Sequence, residues 1–345
     1  MHARLFSAAV AILVAGAVPA IARDLTVVAR GDGMQAAIAD AYVRPFADVT
    51  GLAAIAATWD GGMDALRDQL KSPENVWDLV MADPDELAIG CAEGLFEKTD
   101  WTAVGGKSHY QPWGVSDCGV GVTLTNIVLA WDKDKLPVTP GWTDFWDIAK
   151  YPGKRGMTKS VRGALEIALM ADGVAPADIY KTLSGKDGVE RAFQKLDQLR
   201  PYIVWWQTGA DAARILGSGD VLMTSAPSGS VVTAARRDSR NFGIQWTASL
   251  FDVLSWAIPK GSPNLRAAQQ FLYFTGMPAV EARLVRGSGL VGAAHGLNEG
   301  LPPELQATSP SSPPNMAASL REDTAFWHDN LAKLGPRFDA WLAKQ

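Results

Sequence analysis

Leu25-Thr26-Val27-Val28-Ala29 runs into the turn Arg30-Gly31-Asp32-Gly33, and Met34 to Val49 follows with apolar residues near helical spacing. That order is strand, loop, helix. It repeats twice. Leu52 to Trp59 reads as a strand and Met63 to Leu70 as a helix; Trp77-Asp78-Leu79-Val80-Met81 reads as a strand that ends at Ala82-Asp83-Pro84, before a helix from Asp85 to Glu93. Three βα units in succession predict a parallel sheet with helices on its faces.

The alternation breaks at Gly119 to Trp131 (GVGVTLTNIVLAW), a long β-rich run with no helix behind it. A second α/β series then begins. Met157-Thr158 ends a strand, with helices predicted at 164–170 and 188–199. A strand follows at 202–206, a helix at 210–216, a strand at 221–224 and a helix at 231–237. A second long β-rich run, Ile244 to Ile258, closes that half, and helices follow at 265–275 and 279–285. Residues 296–316, rich in Pro, Ser and Asn, read as an extended connection, and 320–342 as terminal helices. The fold class is therefore α/β with two doubly wound lobes, joined by crossing strands that leave a hinge and a cleft. The lobes are expected to comprise 23–130 with about 260–305, and 131–259 with about 306–345. Ligands of such sheets bind at the carboxyl ends of the strands, here the loops 30–33, 82–84, 157–163 and 224–230.

Ahead of the first strand stand Met1-His2-Ala3-Arg4, an uncharged run from Leu5 to Val18, and Pro19-Ala20-Ile21-Ala22. A basic start, an apolar core and a small-x-small end describe a secretory signal peptide over residues 1–22. The apolar run of about 14 residues is short of the roughly 20 needed for a membrane anchor. The leader has no cysteine to carry a lipid, so the expected product is free in a Gram-negative periplasm. Without it the Lys+Arg count falls from 32 to 31 against 37 Asp+Glu, a net charge of about −6. An acidic, unpatterned balance argues against nucleic acid and against adhesion to anionic membrane, and no later segment has transmembrane length. Cys91 and Cys118, the two cysteines of the chain, read as one disulfide in an exported protein, the alternative being two buried thiols.

The chain resembles the periplasmic solute-binding proteins of ABC importers, in the spermidine/putrescine-binding branch. Trp77-Asp78-Leu79-Val80, Gly90-Cys91-Ala92-Glu93-Gly94-Leu95, Asp117-Cys118-Gly119-Val120-Gly121 and Val128-Leu129-Ala130-Trp131-Asp132 carry the likeness. So do Trp142-Thr143-Asp144-Phe145-Trp146-Asp147, Tyr151-Pro152-Gly153-Lys154-Arg155 and Ser255-Trp256-Ala257-Ile258-Pro259-Lys260-Gly261-Ser262-Pro263. The resemblance implies a type II periplasmic binding protein that closes on a solute by hinge bending, delivers it to an inner-membrane permease, works as a monomer, needs no cofactor and catalyses nothing. It also implies that the Ser288 loop lies beside the cleft.

The cleft loops depart from the polyamine pattern. Ala29-Arg30-Gly31-Asp32-Gly33 stands where an aromatic-Thr-Glu-aromatic run is usual, and Thr158-Lys159-Ser160-Val161-Arg162-Gly163 where carboxylates are usual. The usual cation-binding Asp falls on Leu254; Asp252, two residues earlier on the same strand face, can replace it. Arg30, Lys159 and Arg162 suit a carboxylate, phosphate or sulfonate, while Asp32, Asp83 and Asp252 can take one ammonium. A small anionic or zwitterionic solute is favoured over a linear polyamine. The competing reading makes Lys159 and Arg162 solvated helix-start residues, or partners in interlobe salt bridges. Ser160, Ser228, Trp206 and Phe251 complete the candidate ligand-binding set, the two rings as stacking faces. Two other function classes remain open, an exported hydrolase and a ligand-presenting sensor. Ser228 and Ser230 lie in a loop, but G-x-S-x-G is absent. Gly287-Ser288-Gly289-Leu290-Val291-Gly292 matches G-x-G-x-x-G but follows a helix, the wrong context for a dinucleotide. The histidines show no spacing suited to a metal, and none is expected.

Overall fold

The computed structural model describes residues 23–31 and 33–344; the leader and Asp32 lie outside it. β1 (Leu25–Arg30) leads to α1 (Met34–Ile38), a π-helical turn Ala39–Val43 and α2 (Arg44–Thr50). β2 (Ala54–Trp59), α3 (Met63–Lys71), β3 (Leu79–Ala82) and α4 (Pro84–Ala92) complete the three βα units read from the sequence. β4 (Val120–Asp132) is the first long crossing strand. Beyond it lie α5 (Trp142–Trp146), β5 (Arg155–Thr158), α6 (Val161–Ala171), α7 (Ile179–Leu183), α8 (Gly188–Leu199), β6 (Ile203–Trp206), α9 (Gly209–Ser218), β7 (Met223–Ala226) and α10 (Ser228–Arg237). β8 (Phe242–Ala257) crosses back, followed by α11 (Leu265–Thr275) and α12 (Pro278–Ser288).

All the strands join one mixed sheet, in the order β2-β1-β3-β8-β4-β7-β5-β6. β1, β2 and β3 are parallel, as are β5, β6 and β7; β4 and β8 run antiparallel to each other and to their outer neighbours. The two largest cores pack on this sheet, one on each half. One gathers Val27, Tyr42, Phe46, Leu79, Val122, Leu254, Trp256 and Phe271. The other gathers Leu129, Phe145, Leu165, Phe193, Leu250, Trp327 and Phe338. β4 therefore passes from one core to the other between Val122 and Leu129, and β8 returns between Leu250 and Leu254. The two lobes are halves of one sheet, continuous through the crossing strands.

Residues 296–316 are not extended. They fold as a 3-10 turn Asn298–Gly300, α13 (Pro303–Thr308) and α14 (Pro313–Met316). Proline at the first helical position starts a helix rather than preventing one, because the missing N–H would have no partner there. Asn298 donates to Ser311 O (2.9 Å) and Asn315 to Ser309 O (2.7 Å), so the polar side chains tie the short turns together. The terminal segment is also different: β9 (Leu320–Arg321) pairs with β8, and one helix, α15 (Thr324–Leu342), follows.

Cys91, near the end of α4, and Cys118, just before β4, form a disulfide with Cα atoms 5.7 Å apart. Arg155 is fully buried and makes no ion pair among the described residues. Its guanidinium donates to the carbonyls of Phe145 (2.7 Å), Gly153 (2.8 Å) and Tyr151 (2.7 Å), fastening the Tyr151–Arg155 turn under β5.

Candidate functional site

Where β4 and β8 change cores, the lobes enclose a cavity of about 650 Å³, within the usual range for a small-molecule site. Thr125, Asn126 and Ile127 of β4, with Asp252 and Leu254 of β8, line it from the sheet. Asp83 and Pro84 enter from the start of α4, Arg162 from the start of α6, and Ser228, Gly229, Ser230 and Thr233 from α10. Arg237 of α10, the strap Ser288–Val291, Pro310 and Glu322 also line it.

The start of α4 is fixed by a capping box. Asp83 Oδ1 accepts from Glu86 N–H (2.8 Å), and Glu86 Oε2 accepts from Asp83 N–H (2.9 Å). The same Glu86 accepts from Gly62 N–H (2.7 Å) and pairs with Arg30, whose guanidinium also lies 3.6 Å from Asp83 and 4.4 Å from the centre of the Trp59 ring. Burial, then the neighbouring Asp83, hold the Glu86 carboxyl above its ordinary range. Arg30 thus supports the helix start and does not line the cavity.

Arg162 is placed by a break in α6. Arg162 has extended backbone (ψ 129°) and Gly163 lies at φ 87°, so regular helix begins only after them. Gly163 can hold that left-handed geometry because it has no Cβ, and its N–H is received by Glu166 Oε2 (2.9 Å). The kink turns Arg162 across the cleft to Asp85 of α4 at 2.6 Å. That is the interlobe salt bridge, one of the alternatives the sequence left open. Glu322 stands 3.9 Å away on the other side, and the Trp327 ring lies 5.6 Å from the guanidinium.

Asp252 is 7% exposed and takes a hydrogen bond from Val253 N–H (2.9 Å). Burial pushes its carboxyl up to about 7, against the pull of Arg321 and Arg162. Burial likewise raises Glu322 well above its ordinary value, with Glu166 and Asp252 adding to the effect. At another part of the wall, Asn126 Oδ1 accepts both the N–H (3.1 Å) and the hydroxyl (3.0 Å) of Ser228. That fixes the amide, and leaves its Nδ2 buried with no partner among the described residues.

The cavity therefore brings together Asp83, Arg162, Ser228, Asp252 and Ser288 of the residues expected from sequence. Ser288 lines it while its hydroxyl donates to Leu284 O (2.7 Å). Lys159 is exposed, and its N–H donates to Trp206 O; Ser160 precedes α6 without capping it. Neither lines the cavity. Trp206 does not face it either: α9 and α10 cover that side of β6, so the ring is 5% exposed among Ala212, Ile215 and Val231. Its neighbour Trp205 packs edge-on against Phe338 and Trp341. Phe251 points away from Asp252 and packs with Leu124 and Val253. Asn126, Thr233 and Glu322 were missed. Asn126 had a signal: Thr125-Asn126 is the polar interruption in the apolar run GVGVTLTNIVLAW, where a strand leaves one core for the next.

The model of the bacterial extracellular solute-binding protein family matches residues 32–313. A curated relative named gamma-aminobutyric acid-binding protein, from Pseudomonas aeruginosa, is 37% identical over 332 residues, covering 96% of this chain and 94% of the relative. A crystal structure of an ABC transporter substrate-binding protein from Bradyrhizobium japonicum superposes with a TM-score of 0.81 at 30% identity, covering 92% of this chain and 99% of that one. A spermidine/putrescine ABC transporter substrate-binding protein from Streptococcus pneumoniae shares the fold at 16% identity (TM-score 0.76, covering 93% and 100%). Fold and cleft define a two-lobed solute-binding protein. The chain belongs to the bacterial extracellular solute-binding protein family, in the ABC-importer class that the sequence resemblance implied.

Proposed function

We propose that this chain is a free, monomeric periplasmic carrier. It captures a short zwitterion, an amino acid with its ammonium and carboxylate at opposite ends, delivers it to an inner-membrane ABC permease, and leaves it chemically unchanged. The lobes comprise 23–130 with about 260–305, and 131–259 with about 306–345. This division is supported by the handover of β4 and β8 from one core to the other.

The carrying observation is the polarity of the cavity. Carboxyls of Asp252 and Glu322 line one part of the wall, where an ammonium would be held. The unpartnered Asn126 Nδ2 lines another, where a carboxylate would be received. Arg30 and Lys159 stand outside the cavity, and the arginines that line it, Arg162 and Arg237, are already paired with Asp85 and Asp238, so a purely anionic solute finds no unpaired arginine there among the described residues. The relative named for gamma-aminobutyric acid supports the same class of ligand.

Thermal-shift and calorimetric titrations with 4-aminobutanoate, 5-aminopentanoate, glutarate and putrescine test this, since a ligand that binds only the folded state raises apparent stability. The ω-amino acids are expected to give the largest shifts and to be recovered intact. A larger shift from putrescine or glutarate, or no shift from any ω-amino acid, overturns the zwitterion reading.

A further inference from the structure

Three carboxyls, Asp85, Glu322 and Asp252, gather about the Arg162 guanidinium at the cavity wall. Arg162 contacts Asp85 (2.6 Å) and lies 3.9 Å from Glu322. Asp252, nine-tenths buried, takes a hydrogen bond only from its neighbour Val253 among the described residues. Behind them Glu166 is fully buried, accepting from Gly163 N–H (2.9 Å), Tyr180 hydroxyl (2.9 Å) and Trp327 Nε1–H (2.7 Å). Arg321, on β9, is the other cation whose field reaches Asp252, and it is exposed. Burying several carboxylates against a single counter-charge is costly, and a group so placed takes up a proton instead.

We propose that this wall holds a proton in the empty protein and exchanges it for the ammonium group of an arriving ligand. The O–H bond of one carboxyl breaks, the proton leaves to the buffer, and the freed carboxylate accepts hydrogen bonds from the ammonium. The charge of the wall plus the bound ammonium group equals that of the protonated wall, and the ligand's carboxylate is received elsewhere. The proton belongs to the Asp252–Glu322–Glu166 set as a whole rather than to one residue, because groups this close titrate together. The raised values of Asp252 and Glu322 agree with this. The proposal rests on the cavity being the ligand site, and adds that binding is proton-linked. Affinity then falls as the medium becomes acid, by up to about tenfold per pH unit once the wall is protonated.

Two measurements test it. Infrared spectroscopy of the ligand-free protein near about pH 6 is expected to show protonated carboxyl bands that lose intensity in Asp252→Asn or Glu322→Gln, over a background from Glu281, a buried carboxyl of α12 outside the cavity. If neither variant folds, the wild-type bands followed from pH 5 to 9 serve instead. Absence of any protonated carboxyl from this set overturns the proposal. Calorimetry of the wild type with 4-aminobutanoate and putrescine, near pH 6.5 in phosphate and in imidazole, is expected to reveal close to one proton released per ligand bound. Binding with no proton released sinks this proposal and leaves the ligand reading standing. If neither probe binds, the ligand reading falls and this proposal falls with it.

Discussion

Glu281 shows how a single residue acquires a role that its own sequence neighbourhood hides. It lies in α12, 2% exposed, and its Oε2 accepts the N–H of Ala294 at 2.7 Å. A Cβ on Gly292 would sit 2.2 Å from its carboxyl carbon, so only glycine lets the loop close over it. The carboxyl thus pins the backbone just beyond the strap that lines the cavity. Burial pushes it up to about 8 from an ordinary 4.5. The folded protein therefore keeps a proton that the unfolded chain releases. Its stability contribution is whole below about pH 4.5 and is lost as pH rises towards 8, by up to about 1.4 kcal/mol per pH unit. Glu281→Gln keeps a neutral acceptor and should flatten the loss of Tm between pH 5 and 8, gaining several degrees at pH 8. Parallel pH–Tm curves for variant and wild type would refute it. In sequence, Pro278-Ala279-Val280-Glu281 looks like any solvated first turn. Its partner is 13 residues away, and no local pattern announces burial.

At the scale of elements, the strands and long helices were legible because their apolar runs and 3.6-residue periods survive as a linear signal. The misread stretch, 296–316, failed because Pro, Ser and Asn serve equally as turn formers and as helix starters. Candidate cavity residues were legible where a loop follows a strand, as at Asp83 and Ser228, though Lys159 in such a loop lies outside the cavity; where an element bends, the residue was legible and its geometry was not. The break in α6 is the clearest case: Val161-Arg162-Gly163-Ala164 reads as the edge of a helix, yet φ 87° at Gly163 is what sends Arg162 across to Asp85. Alanine there meets no backbone, its nearest neighbours being side-chain atoms of Leu250 at 3.6 Å and Thr158 at 3.7 Å, so the penalty is conformational. Gly163→Ala should cost about 1–2 kcal/mol of stability and weaken binding of 4-aminobutanoate by roughly tenfold, through loss of the charge-assisted Arg162–Asp85 contact that spans the cleft. A lowered Tm with unchanged affinity would show that the kink serves the fold alone.

At the scale of the molecule, two long β runs announced two lobes, but not that their sheets would merge. Which strand of one half lies beside which of the other depends on pairings far apart in sequence, such as Thr125 with Asp252. The cysteine pair belongs to this scale too, since it ties α4, which presents Asp83 and Asp85, to the root of β4. The loop it closes holds 28 residues by sequence, for which the chain-entropy model gives roughly 3–4 kcal/mol. Replacing both cysteines by alanine should lower the unfolding free energy by about that amount while 4-aminobutanoate affinity changes less than threefold. An unchanged denaturation midpoint would mean that the bond constrains nothing the folded chain does not already hold.

The indole of Trp327 has a further consequence. Its N–H points at Glu166 from 2.7 Å, while the ring faces the Arg162 guanidinium. A chromophore fixed between an acid and a base experiences a local electric field, and that field changes whenever either neighbour changes its charge or its distance. Trp327 is thus placed as a built-in optical gauge of the wall, and the difference in emission between wild type and Trp327→Phe is expected to shift when the cleft is filled.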